Sequence, residues 1–82
     1  MERLEIFKVV VDTIVDRLGV DEDYCVIGAN LREDIGTDSL DDVELIMELE
    51  VKFGVEVEDI EIEHIQTIGD IVDFAEKKLK NK

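Results

Sequence analysis

Leu4, Phe7, Val11, Ile14 and Leu18 follow one another at intervals of three, four, three and four residues. That spacing lines five apolar side chains along one side of an α-helix and along neither face of a strand, so the chain must open as an amphipathic helix with a face to cover. Val10 and Val15 widen the stripe. Gly19 stands where a left-handed residue ends a helix, which predicts a span of Arg3–Leu18. The remainder can be helical too, because the 82 residues include no proline to force a kink.

A second periodic stretch opens at Asp38 or Ser39. Either can cap the exposed amides of a helix start, with Asp41 or Asp42 completing a capping box, and Gly54 closes the segment after Phe53. On a helical wheel Leu45, Ile46, Leu49 and Phe53 share one arc. Leu40, Met47 and Val51 share another, bordered by Asp41, Glu44 and Glu48. Two apolar ridges need two partners. The first faces the core, and the second, rimmed by acids, reads as a docking ridge for a basic, apolar groove. The plainer alternative for that second ridge is a few scattered surface aliphatics.

The other segments are less periodic. Val20, Tyr24, Val26, Ile27 and Leu31 punctuate the long stretch from Gly19 to Asp38, which reads as a loop pinned onto the core. Val55, Val57, Ile60, Ile62 and Ile65 alternate with glutamates, as a strand would. No second strand pairs with them, and a lone strand leaves its backbone groups unsatisfied, so a loop and a short helix near Asp59–Ile65 fit better. Thr67 and Asp70 make another capping box. Ile68, Ile71, Val72, Ala75 and Leu79 then form the stripe of a last helix, with Lys77, Lys78 and Lys80 at its negative end. No repeat or composition shift divides the chain, which reads as one domain, 1–82.

The net charge is −14, and it is uneven: residues 31–63 hold thirteen carboxylates against Arg32 and Lys52. Such a surface repels nucleic acid and anionic membranes and attracts basic protein surfaces. No apolar run exceeds Val9–Val11, so no membrane insertion is expected. The start, MERLEIFKVV, lacks the features of a signal or transit peptide, and the single cysteine, Cys25, excludes an internal disulfide. A soluble cytoplasmic monomer is the expectation.

Chemistry is scarce. With one histidine, His64, and one cysteine, Ser39 has no triad partners, so a hydrolase is disfavoured. Asp21-Glu22-Asp23 hints at a calcium loop, but Val26 takes the place of the glycine such a loop needs, and no metal site is expected. Cys25 reads as a small, semi-buried hydrophobe, because no basic neighbour lowers its pKa. Taken alone, Ser39 reads as a helix cap.

The pattern around Ser39 changes that reading. Leu31-x-x-Asp34-Ile35-Gly36-x-Asp38-Ser39-Leu40, followed by Val43-Glu44-Leu45-x-Met47-x-Leu49-Glu50, resembles the acyl carrier proteins over some twenty positions in register. The likeness continues through Phe53 and Thr67 to about Phe74. It implies an all-α four-helix bundle: three longer helices, a short third helix and a long first loop. It implies no catalysis by the chain itself. Ser39 would carry 4′-phosphopantetheine, transferred from coenzyme A by a magnesium-dependent phosphopantetheinyl transferase, and the arm's thiol would hold acyl groups as thioesters.

The resemblance also distributes roles. Asp38 and Leu40 would mark the attachment site. Asp41, Glu44, Met47, Glu48 and Val51 would meet basic surfaces on acyl transferases, ketosynthases and other enzymes of fatty-acid synthesis. Leu31, Leu45, Leu49, Val57, Ile62 and Ile65 would line the acyl pocket. Ile62 departs from the family pattern, where a small residue such as alanine is frequent, and is expected to narrow that pocket. Thr37, Asp42, Val51 and Glu58 depart as well. Two alternatives remain: a specialised carrier of a hydroxyacyl, polyketide, aminoacyl or unusual lipid precursor, and an acidic helical interaction module that never receives the arm.

Overall fold

Gly19 ends the first helix at φ 66°, accepting the left-handed turn that a side chain would resist, and its N–H reaches back to the Val15 carbonyl. The helix before it, α1, spans Arg3–Leu18. Next come α2 at Ser39–Phe53, α3 at Asp59–Glu63 and α4 at Ile68–Lys80. A 3₁₀ turn at Glu22–Tyr24 and a π-helical turn at Leu31–Ile35 shape the long loop between α1 and α2. This computed structural model describes residues 1–81. Among them there is no strand, only an isolated antiparallel bridge between Asn30 and Thr67. The bundle and its long first loop are as expected, and α3 stops two residues short of the expected Ile65.

α1 packs against α4 and α2, and these two neighbours decide which side of it is covered. The buried residues are Ile6, Val10, Val11, Thr13 and Ile14. The expected stripe is therefore only partly right: Leu4 is 76% exposed. Phe7 and Leu18 are half-buried. The periodicity reports that a helix has an apolar side; the width and direction of the covered side depend on what lies against it. Thr13 is fully buried, and its hydroxyl is satisfied by donating to the Val9 carbonyl at 2.7 Å and accepting from Lys52 Nζ at 2.8 Å.

The long loop is pinned by only some of the expected residues: Leu31 is buried and Val20 packs against the core. Tyr24, Val26 and Ile27 are exposed, whereas Cys25, Ala29, Leu31 and Ile35 are buried. Backbone hydrogen bonds hold it to the start of α4: Leu31 N–H to the Gln66 carbonyl, Ile68 N–H to Ala29 and Gly69 N–H to Ile27, the last at 2.7 Å. Gly69 is required by that approach, since a Cβ there would stand 2.9 Å from the Ile27 oxygen. Thr67 and Asp70 exchange the reciprocal bonds of the expected capping box, and Asp70 also accepts the Gln66 N–H.

Candidate functional site

The approach to Ser39 is built by short polar links. The Asn30 side chain accepts the Arg32 and Glu33 amides, and Asp34 accepts the Asn30 amide in return. Gly36, at φ 90°, turns the chain, and its N–H bonds the Leu31 carbonyl. Asp38 then caps α2: its carboxylate accepts the Asp41 amide at 2.8 Å, and Asp41 accepts the Asp38 amide at 3.1 Å. Ser39 is thus the first helical residue, exposed, with its hydroxyl outside the capping network. The residue that could have been only a cap is spared that duty by its neighbour.

Beside Ser39 lies a cleft of about 310 Å³ between α2 and α3, walled by Val43, Ile62 and Ile65 and edged by Asp59 and Glu63. Arg32 and Asp42 also line it, joined by bonds of 3.1 and 3.3 Å to Asp42 Oδ2, while Asp42 Oδ1 is buried with no partner. Of the six residues expected to line an acyl pocket, Ile62 and Ile65 border this cleft. Leu49, Val57 and, again, Ile65 border a second, apolar crevice of only about 20 Å³, lined also by Phe53, Ile71 and Phe74. That volume holds roughly one water. Leu31 and Leu45 sit in the solid core. Ile65 forms the common wall of both spaces. Val43, Arg32 and Ile71 were missed by the sequence reading, since their positions depend on how α3 and α4 settle against α2.

The second ridge of α2 is open to solvent: Leu40 is 64%, Met47 57% and Val51 82% exposed. With Glu44, Glu48 and Arg17 of α1, Met47 and Val51 line a shallow groove of about 350 Å³. The acids along it are not free, as the sequence alone would have them. Arg17 Nη2 bonds Glu44 at 2.7 Å and Nη1 bonds Glu48 at 2.8 Å, while Lys52 reaches the other Glu48 oxygen at 3.2 Å. The Arg17 hydrogen bond, then that from Lys52, holds the Glu48 carboxyl below its ordinary range, and Glu48 in turn pushes the Arg17 guanidinium up. Asp41, half-buried, serves the cap. On the opposite side, the Glu58 backbone N–H and then Lys78 hold the Glu61 carboxyl low. Cys25 is more buried than expected, and burial, then the charges of Glu22 and Asp21, push its thiol up. His64 is exposed just after α3.

The chain matches the family described as "Phosphopantetheine attachment site" over residues 8–75. It belongs to that family. It is 51% identical over 77 residues to the acyl carrier protein of Thermotoga maritima, covering 94% of this chain and 95% of that protein. Its fold superposes on the crystal structure of a Thermotoga maritima acyl carrier protein with a TM-score of 0.86, at 31% identity and coverage of 99% and 94% of the two chains. An Enterococcus faecalis acyl carrier protein matches with a TM-score of 0.79, also at 31% identity, over 95% and 99%. With the attachment-site family and the acyl carrier protein relative together, the chain is a carrier and not a catalyst: it holds acyl groups as thioesters on a covalent 4′-phosphopantetheine, and interacts in general with a phosphopantetheinyl transferase and enzymes of fatty-acid synthesis. Among the described residues, no helix is long and apolar enough to cross a membrane.

The residues around Ser39 suit this group. The hydroxyl is exposed on the first turn of α2, where the unpaired amides and the positive end of the helix dipole favour a phosphate. The adjoining cleft offers apolar walls at Val43, Ile62 and Ile65.

Proposed function

We propose that Ser39 is the attachment point, and that residues 1–82 form one carrier domain, a monomer of the cytoplasm. The observation that carries this is the division of labour at the start of α2, where Asp38 caps and leaves the Ser39 hydroxyl presented beside a cleft. In the transfer, Ser39 Oγ bonds the pantetheine-bearing phosphorus of coenzyme A. The phosphoanhydride breaks, the adenosine bisphosphate leaves and the hydroxyl proton is released. The arm supplies a terminal thiol for thioester formation; the chain supplies its placement. Asp38 fixes the turn, Leu40 offers an exposed apolar contact to the transferase, and Val43, Ile62 and Ile65 shield whatever lies in the cleft. Leu49 and Val57 would line the acyl chain when the narrow crevice beside Ile65 widens, with Leu31 and Leu45 backing it.

The partners of the α2 ridge are transferases and ketosynthases that present basic residues around an apolar contact. The test of the attachment site is intact mass after incubation with coenzyme A, magnesium and a broad-specificity phosphopantetheinyl transferase. The parent protein should gain one phosphopantetheine and Ser39→Ala none. A folded Ser39→Ala variant that gains the same mass would place the attachment elsewhere, and no gain in the parent would leave an interaction module without the arm.

A further inference from the structure

Arg17 lies on α1, ahead of the Leu31–Glu50 pattern that singled out Ser39, and it lines the groove beside Met47 and Val51. It projects from the last turn of α1, across to α2, and takes the two carboxylates, Glu44 and Glu48, that flank Met47. Both Glu48 oxygens are occupied, one by Arg17 and the other by Lys52, whose ammonium is itself steadied by the Thr13 hydroxyl. The groove is therefore close to neutral where the surrounding chain is strongly acidic. Its floor is apolar, since Met47 and Val51 stand exposed between the paired charges.

We propose that Arg17 is a specificity-determining residue that holds Glu44 and Glu48 in an internal ion-pair cluster, so that a partner's basic side chain must displace it to dock in the α1–α2 groove. The occupant is a partner surface carrying an apolar side chain between lysines or arginines. Two observations select it: the acid pair complements such cations, and the groove continues the exposed ridge that begins next to Ser39 at Leu40. Because an exposed guanidinium exchanges partners readily, the cluster does not close the groove; it sets a threshold. Partners that rely on the apolar contact at Met47 pass it easily. Those that rely on charge alone compete with a cation already in place, and the salt dependence of docking is blunted.

This inference rests on Ser39 being modified, and the experiment separates the two. The KM of a broad-specificity phosphopantetheinyl transferase for the apo protein is measured over a range of NaCl for the parent, Arg17→Gln, Met47→Ala and Arg17→Gln combined with Glu44→Gln and Glu48→Gln. Melting curves confirm that each variant is folded. Arg17→Gln should lower KM about threefold at low salt and steepen its salt dependence, with kcat unchanged. The triple variant should lose that gain, and Met47→Ala should raise KM. A lost structural bridge would not tighten docking, so a fall in KM distinguishes the proposed role from a merely stabilising one. If Ser39 is modified normally while KM and salt dependence are the same with and without Arg17, the proposal fails and the attachment reading stands. An unchanged KM in Met47→Ala fails it too. No modification in any protein would sink both.

Discussion

The two apolar ridges of α2 are made of the same kinds of residue and meet opposite fates. Leu45, Ile46, Leu49 and Phe53 disappear between the helices, while Leu40, Met47 and Val51 stand in water only a part-turn away. Hydropathy does not separate them. What separates them is where α1, α3 and α4 lie. The buried ridge is the part of α2 that these helices reach, and the exposed ridge is the part they leave open to solvent, where we place the partner surface. The difference teaches that the placement of neighbouring helices, not hydropathy, decides which ridge becomes core.

That contrast can be broken experimentally, beginning where the effect is largest. Leu45→Ala removes a fully buried side chain and should cost about 3 kcal/mol in urea unfolding, enough to threaten a domain of this size. A loss below about 1 kcal/mol would mean that the first ridge is not the core. Ile62 lies between the extremes, half-buried at the cleft beside Ser39. Ile62→Ala should cost about 1–2 kcal/mol, less than a full core truncation because the side chain is only partly covered. It should also let an acyl chain on the arm seat more deeply, as read by chemical-shift changes at Leu49 and Ile71. Unaltered shifts at both would show that Ile62 does not limit the pocket. At the small end, Val51→Ser on the exposed ridge should leave stability within about 0.5 kcal/mol of the parent, since it uncovers nothing. A larger loss would place Val51 in the fold and not on a surface kept for partners.

Much of this molecule was legible from local spacing. The bounds of α1 and α2, the Thr67–Asp70 capping box and the turn before Ser39 all follow from interactions between residues a few positions apart, which a sequence displays directly. The loop pins were legible only in part, for a related reason. Leu31 is buried as its hydropathy suggests, but Tyr24, Val26 and Ile27 stand exposed, and the loop is held as well by Cys25, Ala29 and Ile35 and by the Ile27 and Ala29 carbonyls, which accept N–H groups at the start of α4. Hydropathy has no means of announcing a backbone bond across 40 residues.

The sequence by itself determined that this chain is helical, that its second helix opens at Asp38 or Ser39 within a pattern resembling the acyl carrier proteins, and that its middle is densely acidic. Those are properties of neighbours along the chain, where the backbone fixes the geometry within a turn or two. Only the tertiary structure decided that Asp38 and not Ser39 does the capping, that Ile65 lines both a wide cleft and a narrow crevice, and that Arg17 already holds the two acids beside Met47. The first is a choice between two adjacent residues that both favour a cap. The others join groups tens of residues apart, and their distances exist only once hydrophobic burial has packed α1, α3 and α4 against α2.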